Sequence, residues 1–304
     1  MIYITGTGQL GQELQKVFRD TNKSFQAFPI EEWDICNTNQ NEDILSKNPS
    51  FLINTAAYTA VDKAESDLKL AYEINSEAVL NLAQICKKRN IYFIHISTDF
   101  VFGKNPVVQN GNLKFWSTTD LSSPKGIYAE SKKKGESYIE NTLTDKYTII
   151  RTSWLYSAYG NNFPKTILRL LNDPNRKELN VIEDQIGRPT WAYRLANFIE
   201  LLVQNISNSI PVEKMYHFSN SGLASWYDFA CAIQDIGLNK GILKEKKSIT
   251  PIPTESYPTP AERPRFSVMD LTKSQSIMKN IPHWREDLEY CLSEDLIIKS
   301  WMNW

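Results

Sequence analysis

The sequence predicts an α/β protein that is built on a doubly wound parallel sheet and carries a smaller C-terminal α/β domain. Three observations predict this class. The chain opens with a short apolar run at residues 2–5 that breaks at once into a glycine-rich loop. Further β-rich runs follow in the first half, separated by helical patterns, and this alternation is typical of parallel sheets. Polar side chains also come directly after several of these runs, where such sheets bind ligands.

The first strand leads into a loop with the spacing Gly6-x-Gly8-x-x-Gly11, followed by a helical pattern at 12–18. Glycines at this spacing permit a tight turn and a close approach of the backbone, so that a pyrophosphate can lie on the helix N-terminus. A glycine turn without a ligand would look similar in sequence. The strand that precedes the loop favours a Rossmann-type nucleotide site.

The ends of the second and third strands bear on the cofactor. The remaining strands are predicted at 24–28, 51–54, 91–97 and 147–152, with a helical pattern at 71–89. A domain that selects NAD usually has an acidic residue after the second strand. This chain has Pro29 there, with Glu31 and Asp34 later and no Arg nearby, so the choice between NADH and NADPH is open. The small residues at 54–59 would admit a cofactor or close helix packing equally well.

Thr98, Tyr128 and Lys132 form the predicted catalytic set. Thr98 directly follows the predicted fourth strand, where its hydroxyl can meet a substrate oxygen or simply cap a turn. Tyr128 and Lys132 are one helical turn apart and share a face. A nearby ammonium favours ionisation of a phenol, which suits a carbonyl oxygen that gains a proton as hydride moves. Because a Tyr and a Lys occur at this spacing by chance as well, the pair indicates a catalytic site only in combination with Thr98 and the glycine loop. His95, inside the fourth strand, is predicted to be a core residue.

Composition excludes several other classes of protein. The 304 residues include 34 basic and 35 acidic side chains, and the net charge is −1, so nothing favours a nucleic-acid or membrane surface. The cysteines are widely spaced and lack zinc spacing, which predicts free thiols in a reducing cytoplasm and no metal site. The N-terminus does not resemble a signal peptide. The cysteines are Cys36, Cys86, Cys231 and Cys291.

The ordered motifs resemble the extended short-chain dehydrogenase/reductase superfamily, and finer features are similar to the dTDP-4-dehydrorhamnose reductase family. These features span nearly the whole chain. They are 54–65 (NTAAYTAVDKAE), 95–102 (HISTDFVF), 151–156 (RTSWLY), 160–163 (GNNF), 184–190 (DQIGRPT), 225–229 (SWYDF) and 259–267 (TPAERPRFS).

The resemblance implies a role for each matching residue. Tyr128 would protonate the C4 oxygen, Lys132 would tune it and hold the nicotinamide ribose, and Thr98 would assist by hydrogen bonding. Arg263 would bind the diphosphate, since a guanidinium suits phosphate geometry. The implied cofactor-binding residues are Gly6, Gly8, Gln9, Leu10, Gly11, Asp34, Ile35, Ala56, Ala57, Tyr58, Thr59, Ile96, Tyr128 and Lys132. The implied substrate-binding residues are Thr98, Asp99, Trp154, Asn162, Phe163, Gln185 and Arg263.

Two departures from the family pattern concern the cofactor. The glycine loop is one residue shorter than the G-x-x-G-x-x-G of relatives, which leaves open which glycine meets the pyrophosphate. Pro29 stands where relatives often have an acidic residue, which removes a repulsion against NADPH without adding an attraction. A third position concerns the reaction: a dehydratase needs an acid after Asp99 to expel the C6 hydroxyl, and this chain has Phe100. We therefore expect net reduction by NADPH or NADH.

The second half of the chain is predicted to bind the substrate. The expected division is 1–155 for the cofactor, with elements near 185–220 returning to that domain, and 156–304 mainly for the substrate. Residues 249–264 hold five prolines and are predicted to form a binding loop or a surface connector rather than a core element. Helices are predicted at 163–171, 193–203, 227–236 and 287–298.

The resemblance implies reduction of dTDP-4-dehydro-L-rhamnose to dTDP-L-rhamnose, and we expect a cytoplasmic monomer or homodimer. One alternative is a reductase of another nucleotide-linked 4-keto sugar, because the fold and the catalytic set do not fix the sugar. Another is an NADP-binding regulatory subunit without catalysis, since such relatives can retain these residues. A requirement for Mg2+ cannot be read from the sequence.

Overall fold

The computed structural model describes residues 1–103, 108–109 and 112–293. Its strands are β1 (Ile2–Thr5), β2 (Phe25–Phe28), β3 (Phe51–Asn54), β4 (Tyr92–Thr98), β5 (Val108–Gln109), β6 (Asn112–Leu113), β7 (Tyr147–Thr152), β8 (Leu155–Tyr156), β9 (Glu178–Ile182), β10 (Ile186–Gly187), β11 (Thr190–Trp191), β12 (Met215–His217), β13 (Ala224–Ser225) and β14 (Ser248–Ile252).

Helices alternate with the strands through the first half and dominate the second. They are α1 (Gln9–Asp20), α2 (Thr38–Leu45), α3 (Val61–Ala64), α4 (Leu68–Tyr72), α5 (Ala78–Arg89), α6 (Ile127–Thr142), α7 (Phe163–Asn172), α8 (Ala192–Ser207), α9 (Trp226–Asn239), α10 (Thr272–Ile277) and α11 (Trp284–Cys291). A π-helical turn, Glu73–Glu77, joins α4 to α5. None of the described helices has both the length and the apolar character of a membrane span.

Six strands form the central sheet, in the order β12-β7-β4-β3-β1-β2. Every neighbouring pair in it is parallel. The carboxyl ends of β1, β3, β4 and β7 therefore meet at one edge, where the strands end at Thr5, Asn54, Thr98 and Thr152. This sheet confirms the predicted fold class, and it places the polar strand ends together.

Helices cover both faces of the sheet. On one face α1 and α8 pack with Ile4, Ile94 and Ile150 into a single apolar cluster. On the other face α5 and α6 contribute Leu82 and Ile139 to a cluster with alternate strand residues. Both faces of the inner strands β1, β3 and β7 are thus buried, as the continuous apolar runs of a parallel sheet require. The central sheet therefore has a desolvated interior beneath its ligand-binding edge.

A further apolar cluster lies in the second half of the chain, where α7, α9 and α11 pack together. Phe229, Leu168 and Trp284 are buried in it. The helices begin with strong caps: Ser225 and Asp228 form a capping box on α9, and Asn162 caps α7. The strands β9 and β14 pair in parallel beside this cluster.

The structure corrects two predicted elements. Residues 248–252 form β14 although the prolines at 249–264 indicated a loop or connector; Pro251 is tolerated because β14 pairs on one side only. The helix predicted at 287–298 begins earlier, at Trp284, and ends at Cys291. Residues 294–298 of that prediction lie outside the described residues. The sixth sheet strand, β12, was not predicted, because three residues give too short a pattern.

Candidate active site

A cavity of about 840 Å³ lies at the carboxyl edge of the sheet, between the glycine loop and the start of α6. Fifteen of the predicted site residues line it. They are Gly6, Gly8, Gln9, Leu10, Asp34, Ile35, Ala56, Ala57, Thr59, Ile96, Thr98, Asp99, Tyr128, Lys132 and Trp154. The cavity thus brings the predicted cofactor loop, the catalytic set and part of the predicted substrate set to one place.

The three glycines of the loop have different surroundings. Gly6 has φ of +80°, a left-handed conformation that favours glycine, and it turns the chain out of β1. A Cβ on Gly11 would lie 2.1 Å from the carbonyl oxygen of Gly6, so Gly11 permits α1 to pack on the loop. A Cβ on Gly8 would meet no atom within 4 Å. Gly8 is therefore the glycine that borders open space in the cavity.

The N-terminus of α1 is uncapped and faces this space. Gly8 is the N-cap residue, no side chain accepts a hydrogen bond there, and the first turn has no acidic residue. Free N–H groups and the helix dipole at such a terminus favour an anion. The residues present therefore fit the pyrophosphate of a dinucleotide, with Gly8, Gln9 and Leu10 nearest to it.

Tyr128 is the second residue of α6, and its side chain is half-buried at the cavity wall. Burial raises the pKa of Tyr128 to about 12, although a hydrogen bond with Thr98 lowers it in part. The ring of Phe100 packs edge-on against it, with the ring centroids 5.4 Å apart. A phenol with this pKa stays protonated at neutral pH, as a proton donor must.

Lys132 is buried one turn further along α6. Its Nζ atom donates a hydrogen bond to the carbonyl oxygen of Ile96 over 2.7 Å and lies 3.3 Å from Nε2 of His95. Burial lowers the pKa of Lys132 to about 8, while Glu136 raises it. From the sequence we expected Lys132 to lower the pKa of Tyr128. In the structure burial is the largest influence on the pKa of Tyr128, and Nζ of Lys132 is directed toward Ile96 and His95 on β4.

A buried ion pair fixes α6 to the sheet. Arg151 on β7 donates to both carboxylate oxygens of Glu136, over 2.8 Å and 2.7 Å, and Ser97 donates to the same carboxylate over 2.6 Å. Burial alone would raise the pKa of Glu136, but Arg151 holds it below its usual value. This network sets the position of the helix that carries Tyr128 and Lys132.

Thr98 and Asp99 end β4 at the cavity. The Thr98 hydroxyl donates to Oδ1 of Asp99 over 3.1 Å and accepts from the backbone N–H of Phe100 over 3.2 Å. Thr98 thus caps the turn, and it also lies beside Tyr128 at the cavity, whereas its contact with a substrate oxygen stays a prediction. Burial raises the pKa of Asp99 to about 6. Its Oδ2 atom is buried and accepts no hydrogen bond of ordinary geometry in the described part of the chain, although the nearby Ser267 hydroxyl lowers the pKa of the carboxyl in part.

Trp154 lines the same cavity with an unusual backbone. Its φ is +47°, a conformation that is strained for a bulky residue. The indole stacks on Trp226 with centroids 3.6 Å apart, and a Cβ on Gly187 would lie 2.6 Å from it. Close packing against Trp226 and Gly187 therefore defines the position of the Trp154 indole.

A second cavity, of about 410 Å³, contains two other predicted substrate residues, Gln185 and Arg263. The 253–265 segment forms most of its wall. Arg263 makes a two-pronged ion pair with Asp62, and Gln185 donates to the hydroxyl of Thr254 over 3.2 Å. Because Val61 lines the main cavity and Asp62 is the next residue, this ion pair lies between the two cavities.

Four predicted site residues do not line either cavity. Gly11 packs inside α1, as described above. The hydroxyl of Tyr58 donates to Asp67 over 3.2 Å, and Asn162 donates to Gln9 and to the carbonyl of Ser157. Phe163 packs on Trp226 and Phe229. Asn162 nonetheless ties the glycine loop to α7, since its amide lies 3.0 Å from the Gln9 oxygen.

Several residues that line the main cavity were not predicted from the sequence. Thr152, Ser153 and Asn161 line it beyond the end of β7, and Ile30 lines it beyond β2. The rule that ligands lie at strand ends could have found Thr152 and Ser153. The contact between His95 and Lys132 had no signal in sequence. In the described residues no group of three or more His, Cys, Asp or Glu side chains could hold a metal ion.

The parallel sheet, the uncapped glycine loop and the convergence of Thr98, Tyr128 and Lys132 on one cavity define the class of this protein. It is an NAD(P)H-dependent oxidoreductase of the extended short-chain dehydrogenase/reductase type.

Comparison with known proteins narrows the class to a family. The family model described as RmlD substrate binding domain matches residues 1–297. The dTDP-4-dehydrorhamnose reductase of Escherichia coli K12 is 36% identical over 294 residues, covering 95% of both chains. That of Aggregatibacter actinomycetemcomitans is 39% identical over 278 residues, covering 90% of this chain and 92% of its own.

A solved structure of a dTDP-4-dehydrorhamnose reductase is also similar to this protein. The dTDP-4-dehydrorhamnose reductase of Bacillus anthracis, crystallised in complex with NADP, is 33% identical, covers 96% of this chain and 98% of its own, and superposes with a TM-score of 0.84. The chain belongs to the dTDP-4-dehydrorhamnose reductase family, which confirms the family predicted from the motifs.

Proposed function

We propose that this protein reduces the C4 ketone of dTDP-4-dehydro-L-rhamnose to the alcohol of dTDP-L-rhamnose, using NADPH or NADH. The observation that carries the proposal is the convergence of Thr98, Tyr128 and Lys132 on a cavity that begins at Gly8. Membership of the reductase family supports the choice of substrate.

The glycine loop would hold the cofactor. Its pyrophosphate would lie on the N-terminus of α1 at Gly8, and Lys132 would bind the nicotinamide ribose. The small side chains of Ala56 and Ala57 allow the cofactor to approach the end of β3. When bound, the reduced nicotinamide supplies the hydride that adds to C4.

Tyr128 would give its hydroxyl proton to the oxygen at C4 as that oxygen gains charge. The Thr98 hydroxyl would donate a hydrogen bond to the same oxygen, which positions the carbonyl and stabilises the developing charge. Phe100 packs against the Tyr128 ring at 5.4 Å. A phenyl ring at this place excludes water and cannot protonate a leaving hydroxyl, which favours simple reduction over dehydration.

The substrate would extend from the main cavity toward the second one. Asp99 can accept a hydrogen bond from a sugar hydroxyl through Oδ2, and Trp154 offers an apolar surface beside it. Arg263 would bind the diphosphate through the N–H groups that its ion pair with Asp62 leaves available. This arrangement supports a division in which residues 1–155 bind the cofactor and the later part, with the 253–265 segment, binds the nucleotide sugar. A cytoplasmic location and a monomer or homodimer stay predictions.

The test is oxidation of NADPH and NADH with a panel of nucleotide-linked 4-keto sugars, including enzymatically generated dTDP-4-dehydro-L-rhamnose, with identification of the product. We expect rapid oxidation with that substrate and formation of dTDP-L-rhamnose. Faster turnover of another 4-keto sugar would reassign the substrate. Cofactor binding without oxidation of either cofactor by any of them would support a regulatory subunit instead.

A further inference from the structure

Four buried side chains form a hydrogen-bonded chain from β1 to the Lys132 ammonium. The Thr5 hydroxyl donates to Oδ1 of Asn54 over 2.6 Å, and Nδ2 of Asn54 lies 3.1 Å from Nδ1 of His95. Nε2 of His95 lies 3.3 Å from Nζ of Lys132. Thr5, Asn54, His95 and Lys132 are each at most 2% exposed, so bulk water does not compete for these bonds.

The orientation of the Asn54 amide determines which ring nitrogen of His95 carries the proton. A neutral imidazole carries one proton, so one ring nitrogen donates and the other accepts. In the structure the amide NH2 group faces Nδ1, which must then accept, so the ring proton is on Nε2, facing Lys132; this arrangement suits the amine form of Lys132. If the amide turns over, its oxygen faces Nδ1, the ring proton moves to Nδ1, and Nε2 becomes an acceptor.

The two tautomers suit different forms of Lys132. A neutral amine has a lone pair and can accept a hydrogen bond from Nε2–H of His95. An ammonium can only donate, so it requires Nε2 without a proton. The Thr5 hydroxyl donates or accepts equally well, so it can follow the amide of Asn54 in either orientation. Lys132 retains its bond to the Ile96 carbonyl in both forms, because an amine still has N–H groups.

We propose that His95 changes tautomer when Lys132 changes protonation: its proton is on Nδ1 when Lys132 is an ammonium and on Nε2 when Lys132 is an amine. The two states differ by the one proton that Lys132 gains or loses, and His95 stays neutral in both. His95 is then a positioning residue that holds Nζ in one place in either form. Its importance for turnover rests on the proposed function, in which Lys132 supports Tyr128.

The surrounding charges are consistent with a neutral ring. Burial, and next the charge of Lys132, lower the pKa of His95 well below its ordinary value. Burial lowers the pKa of Lys132, whereas Glu136 on α6 raises it and is itself neutralised by Arg151 on β7. Tyr128 and Asp99 line the same cavity as Lys132. The proton that is exchanged on the alkaline side of neutrality is therefore that of Lys132, whose pKa is about 8.

His217 provides an internal control. Its Nε2 faces the guanidinium of Arg151 over 3.4 Å, and its Nδ1 faces the carbonyl oxygen of Trp116 over 3.0 Å. A guanidinium only donates and a carbonyl only accepts, so His217 is held with its proton on Nδ1 at every pH at which it is neutral. His283, the third histidine of the chain, is exposed.

The experiment is nitrogen NMR of the full chain with labelled histidine, titrated from neutral pH through the alkaline fall in activity. His283→Gln assigns the exposed residue and His95→Leu assigns His95, so the remaining signal is that of His217. We expect the two ring nitrogens of His95 to exchange their chemical shifts as Lys132 loses its proton, with a midpoint close to the Lys132 pKa of about 8. In Lys132→Met, we expect no exchange of the His95 nitrogen shifts, because the group that changes protonation has been removed.

A single His95 tautomer across that range, or a ring that becomes doubly protonated, would overturn the inference. The spectra need no turnover, so this failure would leave the proposed reductase activity intact, and a failed activity assay would leave the tautomer result intact.

Variants of His95 provide a second measurement, the pH dependence of kcat/KM. His95→Leu removes the acceptor for the ammonium, so the alkaline limb of kcat/KM should move to lower pH, whereas His95→Gln, whose amide can turn either way, should restore it. An equal profile for both variants and the unmodified protein would contradict the positioning role.

Discussion

Arg263 and Asp62 form a two-pronged ion pair that links the 253–265 segment to the start of α3, with Nη1–Oδ1 and Nη2–Oδ2 distances of 3.0 Å and 2.6 Å. The Asp62 carboxylate also accepts the backbone N–H of Ala261 over 3.2 Å. Arg263 holds the pKa of Asp62 below its ordinary value, although burial opposes this. The segment that lines the second cavity is thus fixed to the loop that lines the first.

Asp62→Ala should therefore raise the KM for the nucleotide sugar by about tenfold, equivalent to about 1.4 kcal/mol, because Arg263 and its segment lose their anchor. Cofactor affinity should change little. The matched control is Lys125→Ala, which removes the neighbouring ion pair with Glu262 at a residue half exposed to solvent; such pairs contribute little. Equal effects of the two substitutions on KM would contradict the role of Asp62.

Gly8→Ala tests which glycine of the shortened loop meets the pyrophosphate. The added methyl group has space in the protein, since no atom lies within 4 Å of it, but it would occupy the cavity. We expect the melting temperature to be nearly unchanged and the Kd for NADPH and NADH to rise by about tenfold or more. Gly11→Ala is the contrasting variant and should destabilise the fold, because its methyl group would meet the Gly6 carbonyl at 2.1 Å. Normal cofactor binding by Gly8→Ala would exclude this assignment.

Cofactor preference should depend on the cavity wall beyond β2. Ile30, Glu31, Trp33 and Asp34 line it there, and Lys132 is the sole basic side chain among the described residues of the lining. Carboxylates suit ribose hydroxyls and repel a 2′-phosphate. We expect NADH to be used at least as well as NADPH, and Glu31→Arg to shift the ratio of kcat/KM values toward NADPH by about tenfold. A ratio that does not respond to this substitution would place the adenosine ribose elsewhere.

Lys132→Met should abolish most turnover and yet stabilise the protein. Burial lowers the pKa of Lys132 from 10.5 to about 8, so the folded state bears the cost of a buried charge at neutral pH. Removing that charge should raise the free energy of unfolding by roughly 1–3 kcal/mol at pH 7. Between the folded and unfolded pKa values the unfolded chain binds more protons, so the stability of the unmodified protein rises with pH in this window and the advantage of the variant fades. Denaturant unfolding at several pH values measures this, and a variant less stable than the unmodified protein at every pH would contradict it.

Much of the sheet could be predicted from the sequence because its signals are local. The strands β1, β3 and β7 have their predicted bounds, since each is a short apolar run with a clear break after it. The expectation that ligands bind beyond the carboxyl ends of parallel strands also led to Thr98 and to the loop at Gly6. These features depend only on residues close in sequence.

The remaining features depend on contacts between distant residues. His95 was predicted to be a core residue, and it is fully buried, but its contact with Lys132 requires α6 to cross β4. Arg263 is 201 positions away from Asp62, so no local pattern could indicate their ion pair. Burial of Tyr128 and Asp99 likewise depends on the assembled cavity, so the directions of their pKa shifts could not be predicted from spacing.

The central claim is that Tyr128 gives the proton to the C4 oxygen, and the most direct test is steady-state oxidation of NADPH and NADH by Tyr128→Phe with dTDP-4-dehydro-L-rhamnose. The substitution removes one hydroxyl and keeps the ring that packs on Phe100. We predict that kcat falls by roughly 100-fold or more while the Kd for the cofactor stays within about twofold. Turnover close to that of the unmodified protein would contradict the account.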